Sequence, residues 1–305
     1  MSLQPVEFLA SPEAMNREWK TAESLEYTRW LATHHYENFH VVSFFLPKRL
    51  HQDFYNVYAF CRWADDLGDE LGDRQRSIEM LGWWRGLLHD AFSGHPPSHP
   101  VFVALNETVE RHRLPITPFD NLISAFVQDQ TVTRYANWNE VLGYCVNSAN
   151  PVGRLVLYLY GYRDEERQRL SDATCTALQL ANFWQDVAID LEKDRVYLPL
   201  HLFDKHGYTL EQLYRREATP QFAALMREAV QYAEALFAEG LPLVRLLNRR
   251  LALDIDLFSR GGMKVLEKIR AQGYDVLSAR PAISKSERAS LLMSSLVRVA
   301  LMRAA

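Results

Sequence analysis

Helix-start punctuation constrains this chain more than any other feature. Ser11-Pro12, Thr117-Pro118 and Thr219-Pro220 each set a cap residue before a proline suited to the first helical position. Thr209-Leu210-Glu211-Gln212 has the pattern of a capping box. Between such signals apolar residues recur at helical spacing, and no stretch alternates persistently enough to argue a sheet. The spacing predicts helices over roughly 12–33, 49–72, 75–92, 99–113, 118–135, 138–160, 164–192, 220–245, 250–272 and 286–303. Residues 194–218 read as a short irregular crossover, and 93–100 (SGHPPSHP) as a loop. Composition is the same on both sides of that loop, so it marks no domain boundary. The expectation is one all-α domain over residues 1–305, with helices long enough to enclose a cavity.

Two predicted helices carry ionisable groups in a pattern that packing alone does not require. The first holds Tyr58, Arg62, Asp65, Asp66 and Asp69; the second holds Gln179, Asn182, Gln185, Asp186 and Asp190. In each, two aspartates four residues apart share a face, separated by about 6 Å along the axis. Tyr55, Tyr58, Arg62, Asp65 and Asp69 follow one another at steps of three and four, as do Cys175, Gln179, Asn182, Asp186 and Asp190. A solvated face would hold Lys and Glu, and a structural one Leu and Val; this mixture suits a lined cavity. Two carboxylates at that distance repel by roughly 3 kcal/mol at an effective dielectric near 20, so buried together they would raise each other's pKa or need a cation. Hard divalent cations take oxygen ligands, and Mg²⁺ is commonly held by one or two carboxylates plus substrate phosphates. Asp65, Asp69, Asp186 and Asp190 are therefore candidate ligands for several Mg²⁺ that grip a diphosphate and neutralise it as its C–O bond breaks.

At these residues the chain resembles the squalene and phytoene synthase family, over about His35 to Arg280. The resemblance rests on Asp65-Asp66-x-x-Asp69 preceded by Tyr58 and Arg62. It rests equally on Gln179-x-x-Asn182-x-x-x-Asp186-x-x-x-Asp190 followed by Asp194-Arg195-Val196-Tyr197, and on Tyr144-Cys145 between the two. It implies an isoprenoid synthase helical fold around a central cavity, a prenyl diphosphate substrate and dependence on Mg²⁺. Glu37-Asn38-Phe39 with Leu46-Pro47, Ser148–Arg154 and Asn182–Asp186 are most similar to the branch that converts presqualene diphosphate and water to hydroxysqualene and diphosphate in bacterial hopanoid synthesis. That branch uses no NAD(P)H, and the sequence has no Gly-x-Gly-x-x-Gly after a strand. Two alternatives stay open: head-to-head condensation of two farnesyl or geranylgeranyl diphosphates to presqualene diphosphate, squalene or phytoene, and a non-catalytic helical partner scaffold.

The chain also departs from the family. Condensing members often carry Ser and Lys just after the position of His35, where this chain has Tyr36, Glu37 and Asn38. The family's arginine shortly after Tyr274 appears as Ala279, with Arg280 one place later. A tyrosine used upstream by some members falls near Gly261-Gly262.

The resemblance and the chemistry together assign candidate roles. Asp66, Gln179 and Asn182 assist at the diphosphate end with His35, and Arg62 and Arg195 contact the diphosphate, whose oxygens match a guanidinium fork. For Arg195 the competing reading is an ion pair with Asp194 or Glu192. Tyr58 and Tyr144 are candidates to face the carbocation, whose charge a π face stabilises. Making an alcohol requires a water held inside an apolar cavity; Asn150 and Gln185 are the candidate side chains for it. Their competing reading is a helix cap before Pro151 and an interhelical bond.

Composition settles the remaining classes. A net charge of −4 gives no case for nucleic acid. Three scattered cysteines, Cys61, Cys145 and Cys175, and no basic head before an apolar run at the N-terminus point to reduced thiols and a cytoplasmic setting. The stretch Leu291–Met302 has an apolar face broken by Arg298, suited to core packing or to peripheral contact with the membrane that supplies a lipid substrate. Other hopanoid-pathway enzymes are the candidate protein partners.

Overall fold

Cap chemistry starts most of the helices where the sequence places it. The computed structural model describes residues 3–34 and 46–301. In chain order the α-helices are α1 (Pro5–Leu9), α2 (Pro12–Asn16), α3 (Thr21–His34), α4 (His51–Asp69), α5 (Arg74–Phe92), α6 (Pro100–His112), α7 (Thr117–Asp129), α8 (Trp138–Ser148) and α9 (Asn150–Leu159). They continue as α10 (Glu165–Gln185), α11 (Val187–Asp190), α12 (Leu200–His206), α13 (Leu210–Tyr214), α14 (Pro220–Gly240), α15 (Leu243–Leu246), α16 (Arg249–Ala271) and α17 (Lys285–Leu301). Among the described residues there is no strand, only an isolated parallel bridge between Arg134 and Val196. Ser11 caps α2 through Ala14 N–H, Thr219 caps α14 through Phe222 N–H, and Thr209 and Gln212 close the predicted capping box on α13. Thr117 behaves differently: it is the first residue of α7, not its cap, and the preceding Ile116 makes no side-chain cap bond.

Four helical expectations need correction. The helix predicted over 12–33 breaks at Arg17, which is extended (φ −75°, ψ 142°). The break lets Trp19 bury its indole against Phe8 and Tyr27 while its N–H donates to Ala14 O at 3.1 Å. The helix predicted over 138–160 divides between α8 and α9, where Pro151 lacks the N–H to continue the ladder. The helix predicted over 164–192 breaks at Asp186 (φ −106°, ψ 13°). The aspartate spacing survives that break, because Asp186 N–H reaches Asn182 O at 2.9 Å and Asp190 N–H reaches Asp186 O at 2.8 Å. Finally, the crossover over 194–218 contains α12 and α13.

The chain divides into two compact units, one of residues up to Thr131 with Arg154–Arg163, the other of Val132–Gly153 with the residues from Asp164 on. In the first, Trp63 and Trp84 stack at 5.1 Å, with the edge of His99 4.4 Å from Trp63. Burial among these rings pushes the imidazole pKa of His99 down to about 3. Helix α4 is locked to α6 by the buried Asn56 amide, which donates to Ala104 O at 2.9 Å and Thr108 Oγ1 at 3.0 Å. The buried Asp53 adds bonds to Thr108, Arg111 and His112. With Ala59, Phe60, Trp63, Ala64 and Leu67 buried, α4 leaves Tyr55, Tyr58, Arg62, Asp65 and Asp69 on its less buried face.

In the second unit α10 packs against α14 and α16. The crossing with α14 is close: a Cβ at Gly240 would overlap the Thr174 hydroxyl and lie 2.9 Å from the Thr174 backbone nitrogen. The Trp184 indole donates to Ala229 O at 3.0 Å, and Trp138 stacks on Tyr232 at 3.9 Å. These contacts fix the rotation of α10, so Leu180, Ala181, Phe183 and Trp184 are buried while Gln179, Asn182, Gln185 and Asp186 are not. Cys61, Cys145 and Cys175 are all free thiols, their pKa values pushed up by burial.

Candidate active site

The first carboxylate group sits at the C-terminal end of α4. Arg62 reaches both neighbouring acids, Nη2 to Asp66 Oδ1 at 2.5 Å and Nη1 to Asp65 Oδ2 at 3.3 Å. The two acids differ sharply in environment. Asp66 is buried, and that burial, against the opposing pull of Arg62, pushes its carboxyl up to about 7. Asp65 has a side chain 45% exposed, and Asp69 is exposed at the helix end. One turn earlier, half-buried Tyr58 has its hydroxyl pKa raised by burial.

The second group forms around the break at Asp186. Arg280 lays its fork on the Asp186 carboxylate, Nε to Oδ1 at 2.5 Å and Nη2 to Oδ2 at 3.1 Å. Beside it, the Gln185 amide donates to Pro281 O, which ties the segment before α17 to the end of α10. Beyond α11, Arg195 N–H reaches Asp190 O at 2.9 Å and Val196 N–H reaches Thr133 O at 2.9 Å. Asp194 takes a left-handed backbone (φ 55°), which aspartate tolerates better than most residues. Its carboxylate accepts from Arg134 and from Tyr214, each at 2.5 Å, while Glu192 accepts from Arg216 at 3.0 Å. Asp194 and Glu192, which precede Arg195 in sequence, thus each engage another arginine.

Aromatic rings gather next to this second group. Phe183 and Tyr197 stack at 3.7 Å, and Tyr144 lies 6.1 Å from Phe183 and 5.8 Å from both Tyr135 and Tyr197. Phe183, Val187, Asp190, Arg195 and Tyr197 line a small gap of about 10 Å³. That is close to the room one water molecule needs.

The structure therefore brings together Tyr58, Arg62, Asp65, Asp66 and Asp69 in the first unit. In the second it brings together Tyr144, Asp190 and Arg195, with Gln185 and Asp186 at the α10 end. Gln179 is half-buried and Asn182 exposed on α10. Asn150 is buried, its side-chain oxygen accepting from the Thr176 hydroxyl at 2.9 Å. His35 lies outside the described residues, as do Tyr36, Glu37 and Asn38. Two functional-looking arginines escaped sequence reasoning as site residues. Arg280 was visible only as a misplaced family arginine, and Arg134 stands alone in a loop with no local signal.

The donor chemistry fits Mg²⁺. Among the described residues no three His, Cys, Asp or Glu side chains converge into a ready-made metal cage. Carboxylates supplied in twos are what Mg²⁺ uses when substrate phosphates and water complete its shell. Asp186 already attracts a cation in the form of Arg280.

Comparison with known proteins agrees with this chemistry. The Squalene/phytoene synthase family model matches residues 32–287. A phytoene synthase from Thermus thermophilus is 34% identical over 92% of this chain and 93% of its own length. A hydroxysqualene synthase from Rhodopseudomonas palustris is 31% identical over 81% of this chain and 84% of its own length. The crystal structure of squalene synthase HpnC from Alicyclobacillus acidocaldarius, 45% identical, superposes with a TM-score of 0.78 over 83% of this chain and 95% of that one. With both aspartate motifs inside the matched span, and similarity running almost the full length of those relatives, this chain belongs to the squalene/phytoene synthase family.

Proposed function

We propose that this enzyme ionises presqualene diphosphate and captures water to give hydroxysqualene and diphosphate. The observation that carries the reading is the gap of about 10 Å³ bounded by Asp190, Arg195, Phe183 and Tyr197. It sets room for one water beside a carboxylate, a guanidinium and π faces. The hydroxysqualene synthase relative supports this branch.

The reaction breaks one C–O bond, its electron pair leaving on the diphosphate. Water oxygen then adds to the carbocation, and a water proton departs with the diphosphate. Arg62, Arg195 and Arg280 hold the leaving group, each guanidinium matching two phosphate oxygens. Tyr58 and Tyr144, with Phe183 and Tyr197, face the cation and keep bulk water out. Asn150 and Gln185, the amides that the sequence offers for the captured water, do not line that gap; each has bonding capacity beyond its observed bond, so a role for either would be in handling water before or after it reaches the gap. Mg²⁺ at Asp65, Asp69, Asp186 and Asp190 would supply Lewis-acid neutralisation of the diphosphate.

The relative named phytoene synthase, at 34% identity, favours a second reading, head-to-head condensation. One incubation separates the two. Purified protein is given Mg²⁺ and either presqualene diphosphate or farnesyl diphosphate, without NADPH, and the products are read by mass spectrometry. Hydroxysqualene from the first substrate and nothing from the second is the expected result. A head-to-head hydrocarbon or presqualene diphosphate from farnesyl diphosphate would establish condensation instead. A protein that releases no diphosphate from either would be a non-catalytic scaffold.

The substrate is a lipid, and α17 exposes Met293, Leu296, Val297 and Leu301 along one stripe. No described helix is long and apolar enough to cross a membrane. That stripe supports peripheral contact with a membrane surface, where other hopanoid-pathway enzymes would exchange substrate with this one.

A further inference from the structure

The second unit contains a larger cleft, of about 330 Å³, that shares no residue with either aspartate motif. Leu241, Pro242 and Val244 supply apolar lining, and Arg245, Asp256 and Arg260 supply polar lining. Asp256 is the one acid among these lining residues, and its side chain is only 1% exposed. It is shared between two guanidiniums, Arg260 Nε at 3.5 Å and Arg298 Nε, from α17, also at 3.5 Å. Both separations are long for a charge-assisted hydrogen bond, which runs about 2.7–2.9 Å. Asp256 Oδ2 and Arg298 Nε are buried without a hydrogen-bond partner. The third guanidinium, Arg245, is exposed at the cleft.

One carboxylate is thus shared by Arg260 and Arg298 at distances too long to satisfy either, while Arg245 stands at the same cleft. The cleft lining sets two guanidiniums against one carboxylate, next to an aliphatic wall. A carboxylate ligand would offer two acceptor oxygens; a phosphate offers three and matches more than one fork. The volume lies at the lower end for small-molecule sites, so it suits a phosphate head with a short apolar segment attached.

We propose that this cleft is a second, metal-independent site for a phosphate group carried on an apolar chain, with Arg245 and Arg260 as its phosphate ligands. Two sources share that chemistry: a free prenyl phosphate, and the head group of an anionic phospholipid.

The test uses full-length protein in EDTA, which leaves the aspartate motifs without metal. Geranyl monophosphate is titrated by calorimetry, and in parallel the protein is sedimented with vesicles of phosphatidylglycerol or of phosphatidylcholine. Each is repeated with Arg245→Ala, a surface truncation that leaves the fold intact, with Arg260→Lys, and with Arg280→Ala as the control for phosphate binding beside the aspartate motif. Saturable geranyl monophosphate binding is expected, weakened about tenfold to a hundredfold by Arg245→Ala and unmoved by Arg280→Ala. Sedimentation with phosphatidylglycerol alone, lost in Arg245→Ala, would assign the site to a lipid head group. Binding of neither probe, or binding that both arginine variants leave unchanged, would overturn the proposal.

Discussion

Arg280 and Asp186, 94 residues apart, form a two-pronged ion pair at 2.5 and 3.1 Å. The guanidinium covers both oxygens of a carboxylate that the family motif assigns to metal. If Asp186 takes a divalent cation as proposed, Arg280 and that cation compete for it, and a guanidinium displaced from it becomes available to the diphosphate. Arg280→Ala should lower the Mg²⁺ concentration for half-maximal diphosphate release several-fold. It should also raise KM for the prenyl diphosphate about tenfold, by loss of a charge-assisted contact. An unchanged Mg²⁺ half-saturation would show that the pair does not gate metal entry.

Asp65→Asn and Asp190→Asn remove one proposed anionic ligand from each motif with little change in volume. Diphosphate release should fall at least a hundredfold in either, the scale on which loss of one electrostatic stabiliser acts. Circular dichroism should show unchanged helix content, because Asp65 is half-exposed and Asp190 only half-buried. A variant retaining most of its rate would remove that motif from the machinery.

Asn150→Leu and Gln185→Leu separate water handling from packing. If either amide orients the captured water, its leucine variant diverts product from alcohol to hydrocarbon, read as the alcohol fraction by mass spectrometry. Asn150→Leu should also lower the melting temperature, since the buried Thr176 hydroxyl loses its acceptor, at about 1–3 kcal/mol. An unchanged alcohol fraction in both would leave these amides as packing groups alone.

Asp254, buried in α16, has its carboxyl pushed up by burial to about 7 from an ordinary 3.8. The sign follows from proton binding. Between those two values the folded chain keeps the proton that the unfolded chain loses, so stability falls as pH rises through this window. Above it the penalty is full, on the order of 4 kcal/mol as an upper bound. Asp254→Asn should melt higher than the parent at pH 8, with a gap that shrinks steadily towards pH 4. Equal melting temperatures at pH 8 would mean the carboxylate is well solvated there.

Gly240→Ala should destabilise by about 1–3 kcal/mol despite alanine's better helix propensity, because the added methyl meets Thr174 across the α10–α14 crossing. Urea unfolding measures it directly; a neutral or stabilising result would mean the two helices can separate without loss.

Much of the architecture could be read one helix at a time. Ser11, Thr209 and Thr219 bond the N–H groups that their sequence context specifies, and apolar spacing placed α4, α5, α6, α14 and α16 to within a few residues of their ends. What was missed is also physical. Trp19 breaks a predicted helix because its indole finds a better site against Phe8 and Tyr27. At Thr117 the pattern of a cap and a proline is present, yet the chain turns helical one residue early.

For the site, steps of three and four residues put Tyr58, Arg62, Asp65 and Asp69 on one face, and Gln179, Asn182 and Asp186 on another, from backbone geometry alone. The sequence by itself thus determined an all-helical chain, its two carboxylate motifs and its family, because caps, period and spacing are local properties of the backbone. Only the tertiary structure decided that Arg280 covers Asp186, that Arg134 and Tyr214 occupy Asp194, and that rings from positions 135, 144, 183 and 197 meet beside Asp190. Most of those contacts join residues far apart in sequence, Arg280 and Asp186 by 94 positions, so no local period encodes them; they follow from the rotation that buried packing imposes on each helix.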